Sequence, residues 1–215
     1  MQRQLAQYYY QTAVEKAIAN QLTDATKLLD QSVVLNRELW QAWNVLGLCC
    51  YRLGDFPRAK EAWKQSCQLK PQQNPAEEYR ATFQSPVFIQ IQERYSSALV
   101  SAQDGKYSAA RKTLSGEDFP AGEFVHFSNL LGLCHWADGK IHLAFETWRN
   151  ALQLDITNPL TLYYLREATV PQKQRVPFAK FWQGLKMFFS ERWGFSCPFR
   201  SDSNPYPAAA KEDSP

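Results

Sequence analysis

The sequence has little net charge and no long apolar run. Its 24 basic and 21 acidic residues leave a net charge of +3 over 215 residues, too little for a strong attraction to nucleic acid. No stretch approaches the roughly 18 apolar residues of a membrane-spanning helix, and the N-terminus lacks a basic segment leading into an apolar run. We therefore predict a soluble protein that is neither exported nor a nucleic-acid binder.

Cysteine is also scarce. The chain has five cysteines, an odd number at irregular spacings, which does not suit a disulfide framework. Cys49 and Cys50 are adjacent and the others stand alone, so the spacing typical of zinc ligands is missing. His126 and His135 would face opposite sides of a helix and could not share a ligand. These absences predict a reducing, cytoplasmic location and no bound metal.

Motifs that carry chemistry are missing as well. Neither glycine-rich phosphate loop, G-x-G-x-x-G or G-x-x-x-x-G-K-[ST], occurs in the chain. The G-x-S-x-G turn of hydrolases is absent too. We predict a protein that is not an enzyme and that binds no cofactor.

What the sequence does contain is a repeated motif on a background of 45% hydrophobic and 14% aromatic residues, ample for a buried core. The segment Asn44–Cys49 reads N-V-L-G-L-C and returns 85 residues later as N-L-L-G-L-C at Asn129–Cys134. Further identical residues follow in both copies: Gly54 and Gly139, Ala59 and Ala144, Glu61 and Glu146, Trp63 and Trp148, Gln68 and Gln153, Leu69 and Leu154. A motif used twice indicates repeated structural units.

The motif resembles the tetratricopeptide repeat, a helical hairpin of about 34 residues with the pattern W-x2-L-G-x2-Y, A-x3-F and P. Residues 40–73 carry the pattern best, through Trp43, Leu46, Gly47, Gly54, Ala59, Trp63 and Pro71, with Cys50 in place of the tyrosine. The resemblance implies an all-α fold: a right-handed superhelical solenoid of helix-turn-helix hairpins. Such hairpins must stack, because one alone exposes its apolar flank.

Steps of 34 residues from the two clear copies locate two worn ones, so we predict a solenoid over residues 1–170. Its repeats span 6–39, 40–73, 91–124 and 125–158, with an extra helix at about 74–84 and a capping helix at about 159–168. Within the repeats, Asn20, Gly54, Gly105 and Gly139 are expected to end the first helix of each hairpin in a left-handed conformation.

The resemblance also implies a working surface, since the first helix of each tetratricopeptide hairpin lines the concave face. Helical spacing selects Gln7, Tyr10, Val14, Gln41, Asn44, Leu48, Tyr51, Arg52, Gln92, Tyr95, Leu99, His126, Asn129, Leu133 and Trp136. This set is aromatic and rich in amides, which favours a peptide with apolar side chains whose backbone bonds to Asn44 and Asn129. The same aromatic side chains would also suit packing between repeats.

A different pattern begins after residue 170. Aromatic and aliphatic residues recur at helical spacing over 171–200, where six basic residues face one acidic residue, a net charge of +5. The amphipathic helix predicted here presents Phe178, Phe181, Trp182, Leu185, Lys186, Phe189 and Trp193. It would cap the last repeat, lie on an anionic membrane, or receive a partner helix. Residues 201–215 are predicted to be disordered.

Together these observations predict an interaction scaffold or adaptor whose partner is another protein or a peptide held in the concave groove. The alternative is a peripheral membrane-associated assembly factor, anchored by the basic aromatic helix at 171–200.

Overall fold

The fold is built from helices in the part of the chain that the computed structural model describes, residues 1–116 and 118–170. The helices are α1 (Gln2–Ile18), α2 (Leu22–Leu35), α3 (Trp40–Leu53), α4 (Phe56–Leu69), α5 (Ala76–Thr82), α6 (Pro86–Gln103), α7 (Tyr107–Leu114), α8 (Val125–Ala137), α9 (Ile141–Leu154) and α10 (Pro159–Thr169). A 3-10 helix at Ala121–Glu123 precedes α8, and these described residues contain no strand. The all-α class is confirmed.

Four helical hairpins pack in succession. Helices α1 and α2 form the first, α3 and α4 the second, α6 and α7 the third, and α8 and α9 the fourth. Helix α5 lies between the second and third hairpins, and α10 follows the fourth. All ten described helices belong to one compact unit, residues 1–172. The solenoid of helical hairpins implied by the repeat is therefore present.

Helices α6 and α10 begin at a polar residue followed by proline. Ser85 Oγ accepts a hydrogen bond from Phe88 N at 3.2 Å, and Pro86 occupies the first position of α6. Asn158 Oδ1 accepts one from Thr161 N at 3.0 Å ahead of α10. A side-chain acceptor and a proline suit this end of a helix, where backbone N–H groups lack partners. The cap explains why α6 starts five residues before the repeat copy predicted at 91–124.

The turn inside each hairpin contains one residue in the left-handed region. These residues are Asn20, Gly54, Gly105 and Gly139, with φ of 54°, 86°, 79° and 76°. Glycine adopts this conformation without strain, and asparagine tolerates it better than most residues. The prediction for all four turns is confirmed.

The second and the fourth hairpin each contain a tryptophan that packs their two helices together by the same contact. A Cβ placed on Gly47 would lie 2.2 Å from Trp63 Nε1, and one on Gly132 would lie 2.2 Å from Trp148 Nε1. The indole N–H of Trp63 donates to the carbonyl oxygen of Asn44 at 3.2 Å, and that of Trp148 donates to Asn129 at 3.3 Å. Each indole therefore lies directly against a glycine of the opposing helix, and only glycine leaves room for it.

An aromatic cluster joins the second hairpin to the later part of the chain. Phe56, at the start of α4, lies 4.9 Å from Phe88 and 5.1 Å from Phe124 between ring centroids. Tyr51 lies 5.2 Å from Phe124, and Phe83 lies 4.8 Å from Phe88. Edge-to-face pairs at such distances add to the burial of the rings. The segment around α5, which the other repeats lack, thus contributes Phe83 and Phe88 to the core.

The fourth hairpin also contacts the first. The buried carboxylate of Asp155, after α9, accepts hydrogen bonds from Thr23 N at 3.3 Å and Thr23 Oγ1 at 2.5 Å. Ile156 N donates to the carbonyl oxygen of Asn20 at 2.9 Å. Thr23 lies in the first turn of α2, where a carboxylate satisfies free N–H groups and suits the helix dipole. The α9–α10 turn is thereby held on the α1–α2 turn, 132 residues away in sequence.

Candidate functional site

Helix α3 keeps one accessible stripe between two packed faces. Its buried residues include Ala42, Leu46, Gly47, Cys49, Cys50 and Leu53. Gln41 and Val45 are half-buried, whereas Leu48 and Arg52 are exposed. The spacing of three to four residues places Gln41, Leu48 and Arg52 on one side of the helix. This stripe contains three of the side chains predicted to line the groove.

Helix α1 carries the corresponding stripe one repeat earlier. A step of 34 residues relates Gln7, Gln11, Val14 and Ile18 to Gln41, Val45, Leu48 and Arg52, and all four α1 residues are exposed or half-buried. Tyr10 is half-buried and packs against the core formed by the first two hairpins. We name the α1 and α3 stripes together the amide face, because glutamines and aliphatic residues dominate it.

The equivalent surface of α8 is not accessible. Leu130 and Leu133, which correspond to Val45 and Leu48, are buried, and His126 is half-buried. A Cβ on Gly54 would lie 3.1 Å from the Cβ of His126, so the α3–α4 turn touches the start of α8. Trp136 is half-buried and meets Trp148 edge-on at 5.9 Å. The fourth hairpin therefore offers no stripe like that of α3.

Asn44 and Asn129, predicted to bond to a peptide backbone, each form a hydrogen bond within their own chain. Asn44 Nδ2 donates to Asn74 Oδ1 at 2.9 Å, ahead of α5. Asn129 Oδ1 accepts from Thr161 Oγ1 at 2.9 Å, in α10. Both asparagines are buried. Their amides join a hairpin to the helix that follows it, and hydrogen bonds from either amide to a peptide backbone stay a prediction.

Tyr51 and Tyr95 also serve the fold. Tyr95 is buried and stacks on Phe127 with 4.2 Å between ring centroids, and burial raises the pKa of its hydroxyl. Tyr51 lies in the aromatic cluster, where burial and then the charge of Glu123 raise its pKa. These rings pack between repeats, which is the alternative that their sequence pattern left open. Gln92, on α6, is half-buried.

The charge on the amide face comes from Arg52. Among residues 1–116 and 118–170, this guanidinium forms no ion pair, whereas Arg58 pairs with Asp30 at 2.8 Å and Arg111 with Asp138 at 2.9 Å. An exposed arginine without a partner is available to a carboxylate of another molecule. The amide face thus offers hydrogen-bonding amides, aliphatic contacts and one positive charge.

The described residues show no cluster suited to metal binding. No group of three or more His, Cys, Asp or Glu side chains is placed to hold a metal ion in this part of the chain. Burial raises the pKa of the Cys49, Cys50 and Cys134 thiols to about 12, so they are protonated and poor nucleophiles at neutral pH.

Two further observations concern membranes. Among the described helices, none combines the length and the apolar character needed to cross a bilayer. The aromatic residues predicted to contact a membrane or partner, Phe178, Phe181, Trp182, Leu185, Phe189 and Trp193 with Lys186 among them, lie outside the described residues. Membrane contact through this segment stays a prediction.

Sequence reasoning missed Asp155 and Ile156. The α4–α5 connection has Lys70 where the α9–α10 turn has Asp155, and the α2–α3 turn has Asn36 there. The available signal was that this copy alone has a carboxylate, Asp155, at this position. Nothing in a single sequence indicated that its partner would be Thr23.

Comparisons with known proteins identify the family of the second hairpin. The solved structure of MamA, from residue 41 to its end, from Desulfovibrio magneticus RS-1 is 17% identical, with a TM-score of 0.33, covering 86% of this chain and 96% of that one. A MamA RS-1 ArsTM double mutant is 16% identical, with a TM-score of 0.34, covering 88% and 97%. No curated protein matches the chain. The family model described as Tetratricopeptide repeat matches residues 40–73, so helices α3 and α4 form a tetratricopeptide repeat.

Proposed function

We propose that this protein is a non-catalytic interaction scaffold that binds a peptide segment of another protein on the amide face. The observation that carries the proposal is the accessible stripe Gln41–Leu48–Arg52 on α3, the first helix of the hairpin that matches the tetratricopeptide repeat. In this family, the first helix is the one that meets ligands.

The composition of the amide face favours a peptide over a small molecule. Gln7, Gln11 and Gln41 each carry an amide that both donates and accepts hydrogen bonds, as the backbone of a bound chain requires. Val14 and Leu48 are aliphatic and suit apolar side chains of that chain. Two neighbouring parallel stripes provide an elongated surface, whereas a small ligand is usually enclosed in a concave pocket.

Burial elsewhere narrows the proposal to the first two hairpins. Asn129, Leu133 and Tyr95 are buried, so the later hairpins present fewer of the predicted groove residues to solvent. We therefore assign the peptide to α1 and α3 instead of to the whole inner side of the solenoid.

Selection from a library of displayed peptides tests this assignment without requiring that the partner be known. Peptides retained by the wild-type protein are expected to lose at least about tenfold in affinity toward Leu48→Glu and to weaken toward Gln41→Ala. The matched control is Val34→Glu, which places the same charge on an exposed aliphatic residue of α2. Equal retention by Leu48→Glu and the wild type would show that the amide face is not the binding surface.

The cellular location is a proposal of the same kind. The four cysteines among the described residues are free and buried, which supports a reducing, cytoplasmic compartment.

The alternative function, peripheral membrane association, is favoured by the net charge of +5 and the aromatic periodicity of 171–200. Vesicles containing anionic lipid are expected to recruit the intact protein and to lose it when residues 176–200 are deleted. Binding that is unchanged by the deletion, or absent from the intact protein, would remove this alternative.

A further inference from the structure

The contact between the first and fourth hairpins creates a surface that neither hairpin has alone. Ile156 N donates to Asn20 O at 2.9 Å, which places the α9–α10 turn beside the end of α1. Ile18, the last residue of α1, is 78% exposed, and Ile156 is 48% exposed. Two aliphatic side chains from distant parts of the sequence thus reach solvent at the same end of the amide face.

Asp155 is the residue that builds this junction. Its carboxylate is fully buried and accepts hydrogen bonds from Thr23 N and Oγ1, Thr157 N and Oγ1, and Asn158 Nδ2. The corresponding residues Asn36 and Lys70 share its extended backbone, with φ of −142° and −132° against −146° for Asp155. Asn36 Oδ1 accepts only the local Glu38 N, at 3.2 Å. The turn backbone is thus similar in the three copies, and the side chain at position 155 supplies contacts that the other two copies lack.

Arg52 lies at the same end of the amide face. It corresponds to Ile18 in the preceding repeat, so the two residues end neighbouring stripes on α1 and α3. The thiol of Cys49 experiences the charges of both Arg52 and Asp155, so both charged groups lie near it. Asp155 forms no ion pair with Arg52, and its oxygens accept hydrogen bonds from threonine and asparagine donors. The guanidinium keeps its charge available to solvent.

We propose that Ile18, Leu48, Arg52 and Ile156, which we name the seam surface, bind an internal peptide segment in which a Glu or Asp side chain is flanked by aliphatic residues. The aliphatic residues would pack on Ile18, Leu48 and Ile156, and the carboxylate would pair with Arg52. Charge complementarity favours this occupant, because the surface has one unpaired cation among aliphatic side chains. A fully polar ligand would leave those aliphatic side chains exposed to water. Asp155 acts as a positioning residue that keeps Ile156 at the surface.

This inference rests on the proposed function and specifies the ligand of the same face. It is tested by display of short peptides fused to carrier protein at both ends, so that no free terminal carboxylate is present. Peptides selected on the wild type are expected to carry an acidic residue next to aliphatic ones and to lose about tenfold or more in affinity toward Arg52→Glu. Raising the salt concentration from about 0.15 M to about 1 M should lower the affinity of these peptides, because salt screens charges at the surface.

Three variants complete the test. Ile156→Ser should weaken binding of the selected peptides, because it removes the contribution of the fourth hairpin. Thr23→Val should weaken their binding less, because it loosens the junction but leaves the seam surface intact. Arg80→Glu, which reverses an exposed arginine on α5, is the matched control and should leave affinity unchanged. Circular dichroism of each variant verifies that its helices are retained.

The outcomes separate this inference from the proposed function. Peptides without acidic residues, or peptides that bind Arg52→Glu and Ile156→Ser as well as the wild type, would overturn the seam surface. If such peptides still depend on Gln41 and Leu48, the amide face remains the binding surface. If they depend on none of these residues, both proposals fail. If this library yields no binder while a second library with free C-termini does, the acidic side chain is overturned as the ligand.

Discussion

At the scale of single residues, the fold depends on two positions where the residue must be glycine because a side chain would not fit. Gly47 and Gly132 receive the indoles of Trp63 and Trp148, and both tryptophans are almost completely buried. The indole N–H bonds to a helix carbonyl oxygen as well, so the ring cannot slide away without losing a hydrogen bond. The glycine and tryptophan of the repeat therefore form one packing unit.

Replacing Gly132 by alanine is expected to destabilise the protein by about 1–2 kcal/mol. The new methyl group would meet the indole of Trp148 at 2.2 Å, and overpacking of this kind costs about 1–3 kcal/mol. Alanine regains at most about 1 kcal/mol through its higher helix propensity, so the clash prevails. Urea denaturation measures the change. Gly122→Ala, with no atom within 4 Å of its Cβ, is the control and should be near neutral, and equal effects at both glycines would contradict the packing argument.

The buried thiols lead to a second prediction at this scale. Because burial raises the pKa of Cys49, Cys50 and Cys134 to about 12, only about one thiol in 10,000 is ionised at pH 8. We expect iodoacetamide to modify these cysteines very slowly in the native protein and readily in urea, as measured by mass spectrometry of the corresponding peptides. Rapid native modification of Cys49 or Cys134 would show that the thiols are exposed or ionised.

At the scale of helices, polar side chains decide how each additional helix joins the stack. Asn74 receives Asn44 Nδ2 and Ala76 N at its oxygen, and donates to Ser66 O at 2.9 Å and Lys70 O at 3.1 Å. It thereby connects α3, α4 and α5. In the fourth hairpin, Asn158 and Thr161 make the corresponding connection between α8 and α10. The two added helices are thus attached by a common polar device.

Asn74→Ala should detach α5 in part and destabilise the protein by about 2–3 kcal/mol. The substitution leaves several buried hydrogen-bonding groups without partners, each costing about 1–3 kcal/mol before relaxation. Hydrogen exchange of residues 76–82 should accelerate more than that of 141–154, because α5 loses its attachment directly. Asn150→Ala, at an exposed position of α9, is the control. Uniform acceleration throughout the chain would mean that Asn74 stabilises the whole fold instead of this helix.

Helices α3 and α8 show that equal sequence does not ensure equal exposure. Both contain the N-x-L-G-L-C motif, and both receive a tryptophan from the next helix. The surface at Leu48 is open, whereas that at Leu133 is buried. The difference lies in what surrounds each helix, since α8 sits between the third hairpin, α9 and α10 and also touches α3.

At the scale of the whole unit, the fourth hairpin contacts the first, and the buried carboxylate of Asp155 is part of that contact. Asp155 satisfies the first turn of α2 from a hairpin that lies 132 residues further along the chain. The apolar residues Val125, Ala151 and Leu154 pack with the core of the first two hairpins beside it. A repeat protein whose hairpins contact only their neighbours would unfold from its ends. This contact is expected to make the four hairpins unfold together.

Asp155→Ala is expected to lower the free energy of unfolding by about 2–3 kcal/mol, since it removes a charged acceptor from several buried donors. Thr23→Val should cost about 1 kcal/mol. The double variant should lose less than the sum by at least about 0.5 kcal/mol, because both changes break the same contact. Asn36→Ala, at the corresponding position of the first hairpin, should change the midpoint of urea denaturation little. Additive effects of the two substitutions would show that the residues do not interact.

The amino-acid sequence by itself determined the local features of this protein. The paired helices, the four left-handed turn residues and the polar starts of α6 and α10 follow from periodicity, glycine and capping, which act within a few residues. The packing between Trp63 and Gly47 was also within reach, because the repeat places both in one hairpin.

Only the tertiary structure decided which groove residues meet solvent. Gln41 and Arg52 stay accessible, whereas Asn44 and Asn129 bond to the next helix and Tyr95 stacks on Phe127. Helical periodicity assigns a side chain to a face but does not say what lies opposite that face. The answer depends on contacts between residues far apart in the chain, such as those of Asn44 with Asn74 and of Asp155 with Thr23.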